Sequence, residues 1–500
     1  MTNKYKFSIV MAVYNSEKYL SETIQSLINQ DIGFEENVQL IIINDGSTDK
    51  SEKIAYDFQE RYPDNITVIS KKNGGQSSAR NMGLKYIEGE YVNFLDSDDK
   101  LSKESLKNVY EFFKKNNVNI IAIPMYYFDR KQGAHRLNKK FSKNKIVNVF
   151  EEYNYPQLSM ASCFINSNLL HNFSFNEKSK IAEDALLINK ILIKEKRIAF
   201  IKNAKYLYRK RNELNSTIDS LAYTKEYYSY KIKYFTLELI DFCLNNLNEV
   251  PKFIQYVIAY EIQWYYHDSN ILNALTKNEY DLFMDNLHNI LNYIDEDIII
   301  NHEYLTKDKK SFLIYLKNNE FHIEVSRRLK KVFLKSNDYF INRLHNHSLH
   351  IDNIDYSKNT VNICGLFSSN CKHEAITIIA IVKDTDGNKT EYNAEYIEDS
   401  KSYRHDYKPL GIPWKYYYNF NLKIPINNKN IKITFKILFK ENKSSTTFIP
   451  PLKIKEQCIL SKKDYFIKDN KIILFKDSAF HLVNKTKKFE MRLKLKSLFQ

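Results

Sequence analysis

The first 220 residues alternate two hydrophobic patterns. Near-continuous apolar runs, FSIVMAVYN, VQLIIIND, ITVISKKN and YVNFLD, are separated by SEKYLSETIQSLINQ, SEKIAYDFQERYP and SSARNMGLKYI, whose apolar residues recur at helical spacing. In the first of these helices Tyr19, Ile24, Leu27 and Ile28 share one face. Strands that are apolar on both sides and joined by helices predict a parallel sheet covered on both faces, the α/β plan. From about 223 to 345 the pattern is helical: Phe235, Leu239 and Phe242 form one buried stripe, and Ile258, Ile262 and Tyr265 another. Beyond 345 strict alternation takes over in TVNICGLF, YYYNFNLKI, IKITFKILFK and KIILF, and DTDGNKT carries the Asp-Gly signal of a tight hairpin. This zone predicts an antiparallel β-sandwich. Near its end FEMRLKLKSL sets Phe489, Met491, Leu493 and Leu495 on one side, with Arg492, Lys494 and Lys496 on the other. The expected plan is an α/β domain over 1–222, a helical region over 223–345 and a basic β-sandwich over 346–500.

Composition sharpens this plan. A chain of 500 residues has room for about three domains. With 43% hydrophobic and 27% charged residues it is a folded protein, and 10 Gly and 9 Pro exclude a collagen-like or linker-dominated chain. The net charge of +15 is concentrated: residues 421–500 hold 19 Lys/Arg against 6 Asp/Glu, a local excess of +13. Such a region is either a solvated basic face or a grip for a polyanion, whether nucleic acid, anionic lipid or a phosphate-bearing polymer. No RNP, zinc-finger or helix-turn-helix signature accompanies it, so nucleic acid is not the expected partner. Five cysteines (Cys163, Cys243, Cys364, Cys371, Cys458) without CxxC spacing fit free thiols in a reducing compartment. The N-terminal MTNKYKFSIVMAVYN lacks a signal-peptide core, and no apolar stretch reaches membrane-span length. A cytoplasmic protein is expected, with any membrane contact peripheral to the inner face of the membrane.

In a parallel α/β sheet, ligands bind beyond the carboxyl ends of the strands. Here those ends carry Ala12-Val13-Tyr14-Asn15, Asn44-Asp45-Gly46-Ser47-Thr48-Asp49, Asn73-Gly74-Gly75 leading to Arg80-Asn81, and Asp96-Ser97-Asp98-Asp99. Each alone reads as a turn, a cap or a solvated acidic cluster. Their convergence on one sheet edge points to a site. Closely spaced carboxylates at Asp96 and Asp98 suit Mg²⁺ or Mn²⁺, ions that take their remaining ligands from water and phosphate. Asp45 can accept an N–H from an imide base, and Arg80 can serve either a phosphate or the acidic cluster.

These motifs in this order, SIVMAVYN, IIINDGSTDKS, NGGQSSARNMGL and YVNFLDSDD, resemble the family-2 glycosyltransferases of GT-A fold, a Rossmann-like nucleotide-sugar-binding domain. The resemblance implies inverting transfer from a nucleotide sugar, usually a UDP-sugar. It implies that Ala12, Val13, Tyr14 and Asn15 line the nucleotide, that Asp45 reads uracil, and that Arg80 and Asn81 border the diphosphate. It also implies that Asp96, Ser97 and Asp98 meet nucleoside, sugar and metal, with Asp98 the metal ligand. Asn44 departs from the family, where many members carry a second Asp.

The family draws its general base from a Glu-Asp pair that opens a helix. IAEDALLINKILI offers Asp184 as that base, with Glu183 the alternative; the same two acids would also suit a helix N-terminus through its dipole. YLYRKRNELNST resembles the YRxR segment of bacterial wall- and capsule-polymer transferases, which puts Arg209 and Arg211 either beside the diphosphate or in structural ion pairs. An α/β domain, then helices, then a basic β domain is also the plan of the wall teichoic acid N-acetylglucosaminyltransferases. That likeness implies GlcNAc transfer to poly(ribitol phosphate) and oligomerisation through the C-terminal domain. A capsular or exopolysaccharide transferase and a non-catalytic polymer-binding scaffold are the alternatives.

Overall fold

The computed structural model describes residues 4–211, 224–267, 270–319, 322–326, 331–336, 339–344, 347–357, 359–397, 406–426, 430–441, 444–454, 465–468 and 471–484. The chain divides into two compact units, the first of residues 1–264 and 270–306, the second of 265–269 and 307–500.

The first unit is built on a mixed eight-stranded sheet. Its strands are β1 (Tyr5–Val13), β2 (Val38–Asn44), β3 (Ile66–Ser70), β4 (Gly89–Phe94), β6 (Ile120–Ala122), β9 (Lys145–Asn148), β10 (Cys163–Asn166) and β11 (Arg197–Phe200). They lie in the order β3-β2-β1-β4-β10-β6-β11-β9. The four strands expected from the apolar runs are parallel, with β1 between β2 and β4. Every residue of β2 is buried, which accounts for the near-continuous apolar run VQLIIIN, interrupted by Gln39 and closed by Asn44. The sheet is not parallel throughout, however: β10 runs antiparallel between β4 and β6, and β9 runs antiparallel on β11. Helices Leu20–Ile28, Ser51–Arg61 and Gln76–Gly83 connect the first strands. Gly83 lets the third of these lie close on β1, since a Cβ there would collide with Val10.

A second, four-stranded sheet stands at the carboxyl side. Its strands are β5 (Lys100–Leu101), β7 (Met125–Asp129), β8 (Gly133–Ala134) and β12 (Tyr206–Lys210), in the order β5-β12-β7-β8. Helices follow at Lys225–Lys231, Glu238–Leu247, Lys252–Ile262 and Lys277–Asn292, with a π-helical stretch Ile232–Leu237 joining the first two. Phe235, Leu239, Ile258 and Ile262 are buried as the stripes require, whereas Phe242 is only partly covered.

In the second unit the helical pattern ends with Lys307–Asn318. The helical zone expected to continue to 345 instead gives three antiparallel strands, His322–Ser326, Lys331–Ser336 and Tyr339–Arg343. HIEVS alternates polar and apolar residues with a period of two and KVFLKS holds a short apolar run bounded by lysines, signals that the longer helical stripes around them obscured. Beyond them a five-stranded and a seven-stranded sheet follow among the described residues. The two sheets share a core in which Phe367 meets Phe439 and Phe448. The hairpin of Ile376–Asp384 with Lys389–Asn393 turns at Gly387, φ +90°, as the Asp-Gly signal predicts. In Ile431–Glu441, Ile433, Phe435, Ile437 and Phe439 are buried while Lys432, Lys436 and Lys440 face outward, giving this strand a basic face. The strand expected over Phe489–Lys496 lies outside the described residues.

Candidate active site

The carboxyl ends of β1, β2 and β4 are tied together before any ligand is considered. Asn15, in the left-handed region at φ 50°, accepts the Thr48 N–H at 2.8 Å, and its own N–H donates to Ser47. Ser97 lies 2.7 Å from Ser16 through their hydroxyls, and its carbonyl accepts from Thr23. Val13 and Ser97 are buried, while Tyr14 is 52% exposed at the rim. Asp45 is buried, and both of its oxygens are engaged: Lys71 Nζ donates at 2.7 Å, Gly74 N–H at 2.9 Å and Gly75 N–H at 2.7 Å. Asp45 thus shapes the Gly74-Gly75 turn, where Gly75 takes φ +87° and opens helix Gln76–Gly83.

That helix delivers Arg80, the hub of the site. The Arg80 guanidinium is buried, donating to Asp96 at 2.8 Å and to Glu183 at 3.0 Å, and it lies over the Phe175 ring at 5.1 Å. Gln76 adds a second donor to Asp96. Both carboxylates hold the guanidinium charged even though burial works against it.

Glu183 and Asp184 open helix Glu183–Glu195 immediately after Ala182, a residue in the left-handed region at φ 60°. The two acids have different environments. Glu183 is locked to Arg80. Among the described residues Asp184 forms no ion pair; its oxygens accept the N–H groups of Ala185 at 2.8 Å and Met160 at 3.4 Å. Burial, then the adjacent Glu183 carboxylate, push the Asp184 carboxyl up to about 7, against the pull of Arg80. A partly buried carboxylate that ionises near neutral pH is suited to take a proton.

The acidic triplet at the end of β4 divides its work. Asp99 is fully buried and accepts from Tyr206 Oη at 2.6 Å and Arg209 N–H at 2.7 Å, so it hangs β12 on the larger sheet. Burial, then Asp98 and Asp96, raise its pKa well above the ordinary carboxylate value. Asp98 remains partly open, and Arg211 grips only its Oδ2, through Nε at 2.7 Å and Nη2 at 2.6 Å. Burial raises the Asp98 pKa despite Arg211. Asp96 and Asp98, with side chains 29% and 16% exposed, are the hard oxygen donors available to a cation. Among the described residues no group of three or more His, Cys, Asp or Glu converges as a protein-only metal cage. Two carboxylates nevertheless fit an ion of the Mg²⁺ type, which takes one or two from the protein and the rest from phosphate and water.

Two sequence-assigned residues turn elsewhere. Arg209 is buried, donating to Glu22, Asp129 and the Asp98 carbonyl, with its guanidinium 4.4 Å from the Phe128 ring. It takes the structural-pair alternative. Asn81 accepts from Phe175 N–H at 2.8 Å and donates to the Phe175 carbonyl and Glu177, so it pins the 175–177 loop. Sequence reasoning gave no role to Lys71 or Gln76, and it placed Asp99 in the strand-end cluster without one. The doubled acid in DSDD was the available signal for Asp99, whereas the reach of Lys71 and Gln76 leaves no mark in spacing.

A Rossmann-like sheet with a DxD triplet at one strand end and a partly buried Glu-Asp pair beside it defines the GT-A class of nucleotide-sugar folds. The family described as Glycosyl transferase family 2 matches residues 8–176. The minor teichoic acid biosynthesis protein GgaB of Bacillus subtilis is 35% identical over 95% of this chain, which spans 53% of that relative's length. Minor teichoic acid biosynthesis protein GgaA of the same organism is 33% identical, over 67% of this chain and 80% of GgaA. The chain therefore belongs to glycosyl transferase family 2, and it spans only about half the length of GgaB. The crystal structure of S. aureus TarS matches with a TM-score of 0.51 at 16% identity, covering 97% of this chain and 86% of that one. A structure of TarS 1–349 in complex with UDP-GlcNAc matches with a TM-score of 0.51 at 21% identity, over 67% and 99%. Among the described residues no helix is long and apolar enough to cross a membrane.

Proposed function

We propose that this chain transfers a sugar, GlcNAc as the first choice, from a UDP-sugar to a hydroxyl of an anionic wall polymer such as poly(ribitol phosphate), with inversion. The observation that carries the reading is the ion-pair network that joins Asp96 to Glu183 through Arg80 and, among the described residues, leaves Asp184 beside it outside any ion pair. Asp184 is the general base. It takes the proton of the acceptor hydroxyl as that oxygen attacks the anomeric carbon and the bond to the diphosphate breaks. Glu183 and Arg80 orient this end of the site, and Arg211, held at its mouth by Asp98, offers a guanidinium to the departing diphosphate. Asp98, with Asp96 beside it, would hold a divalent cation, Mn²⁺ or Mg²⁺, which when bound neutralises charge on the leaving diphosphate. Tyr14 and the ends of β1 and β2 border the nucleoside. For Asp45 to read uracil, one of its bonds to Lys71, Gly74 or Gly75 must exchange for the base N–H.

The activities after which relatives are named support the acceptor class. TarS of Staphylococcus aureus, 23% identical, is named a poly(ribitol-phosphate) beta-N-acetylglucosaminyltransferase. The domains at 1–222, 223–345 and 346–500 are then read as catalytic, acceptor-side or linking, and polymer-binding or oligomerising, in a protein at the inner face of the membrane. A panel of UDP-sugars, assayed by UDP release with and without teichoic acid, tests this reading. Polymer-stimulated release from at least one donor is expected. Binding and turnover of none would overturn it.

A further inference from the structure

We propose that the face of the small sheet bearing Tyr127 and Tyr208, continued by Arg136 to Trp264, is the acceptor strip, built for a chain that alternates polyol units with phosphates. This rests on the transfer reading above and names the substrate-recognising surface of that site. The strip begins at the chemistry. Tyr208 lies on β12 between Tyr206 and Arg209, whose Oη and backbone N–H both donate to Asp99, so the strand carries its ring away from the acidic triplet by only one residue. On β7, Tyr127 is its cross-strand partner, with ring centroids 5.9 Å apart.

Cations interleave with these rings. Lys210 Nζ lies 4.7 Å from the Tyr208 ring, and Lys131 Nζ lies 4.3 Å from Tyr127. Further along, Arg136 lies 5.3 Å from the Tyr260 ring and 5.2 Å from that of Trp264, which is 38% exposed. His135, 5.6 Å from Tyr127 between centroids, registers the resulting field: burial, then Lys140, Arg136, Lys131 and Lys210, push it down to about 4, leaving it neutral. Flat apolar faces accept the carbon faces of polyols and sugars, while lysine and arginine meet phosphates as point charges. A strip that repeats the two chemistries and ends at the acid cluster would deliver a backbone hydroxyl to the base. A site for the donor alone would need neither the repeat nor the extension to Trp264.

The test uses the full chain, a UDP-sugar donor and a synthetic poly(ribitol phosphate) oligomer. Lys131→Glu should raise the acceptor KM about tenfold at low salt and progressively less as salt is added, because the lost term is electrostatic. Trp264→Ala should raise it at all salt concentrations. In both variants the donor KM should move by less than about twofold, a split that general loss of structure would not produce. Calorimetric binding of the oligomer to each variant reads the same interaction without turnover. Unchanged acceptor KM and affinity in both variants would overturn the strip while leaving the transfer reading intact. Equal competition by oligo(dT) would also overturn it, by showing a grip on any polyanion. A wild-type chain that binds the oligomer but transfers nothing to it would sink the transfer reading alone, and failure to bind it would sink the strip.

Discussion

Replacing Asp184, the proposed general base, by Asn separates two quantities that one partly buried carboxyl couples, activity and stability. The Asp184 carboxyl ionises near 3.8 in a free chain and is pushed up to about 7 in the fold, with burial the main cause. Below pH 4 both states carry the proton, and the shift contributes its full share to stability. Between pH 4 and 7 the unfolded chain releases the proton while the fold retains it, so stability falls through that window and levels off above 7. At 1.36 kcal/mol per pKa unit the loss is about 4 kcal/mol by pH 8, part of it shared with Glu183 and Arg80. Asn cannot ionise and escapes this loss. For a cooperative unit of about 300 residues, 4 kcal/mol corresponds to roughly 6 °C in Tm.

The variant should therefore melt close to the wild type at pH 4 and about 6 °C above it at pH 8, in a calorimetric series run across pH. Its UDP-sugar turnover should be abolished. In the wild type, kcat/KM should rise with pH and reach a plateau with a midpoint near 7, because the base works only when deprotonated. A Tm difference that stays constant from pH 4 to 8 would refute the reasoning, since it would mean that Asp184 ionises as an ordinary carboxylate.

Other perturbations reach the neighbouring parts. Arg80→Met should cost about 3–5 kcal/mol in urea unfolding by leaving Asp96 and Glu183 uncompensated, and should move the pH–rate midpoint above 7 because Arg80 holds it down. Arg80→Lys, which keeps the charge, should hold the midpoint nearer 7 in the same pH–rate measurement. Asp98→Ala should eliminate transfer, read as UDP release, and near-normal turnover would remove Asp98 from the site. Chelation with EDTA should stop turnover, with Mn²⁺ or Mg²⁺ restoring it. Tyr206→Phe should lower stability by about 1–3 kcal/mol in urea melts, because it strips one donor from the buried Asp99 carboxyl.

The parallel core was legible because a strand buried on both faces reads as a near-continuous apolar run, as VQLIIIN does apart from the buried polar Gln39 and Asn44. The strand ends and the DxD triplet were legible for a related reason: polar residues follow those runs abruptly, whereas the Glu-Asp pair came from the resemblance to the family, at the start of the apolar helix ALLINKILI. The second sheet was not. Its strands hold two to five residues each and pair across long separations, β5 with β12 for example, so no local period announces them. Partner choice was equally hidden. Arg80 and Glu183 are 103 positions apart, and Arg209 reaches Glu22 across 187. Spacing could name Arg209 as a cation near the site, but only the fold shows that Glu22 and Asp129 take its guanidinium while Arg211 meets Asp98. The charge excess of residues 421–500 drew attention to the C-terminal end, and part of it is the outward face of Ile431–Glu441. The cations interleaved with aromatic rings beside the acidic triplet lie instead in the first unit, where overall charge is nearly balanced and composition conceals them.

The anomeric configuration of the product tests the central claim most directly. Poly(ribitol phosphate) incubated with the full chain and a UDP-α-sugar, UDP-GlcNAc first, should acquire sugar one for one with UDP released, and its anomeric proton should show the β-linkage in the NMR spectrum. The Asp184→Asn chain should give no such signal. An α-linked product, or β-transfer undiminished in that variant, would contradict an inverting reaction with Asp184 as its base.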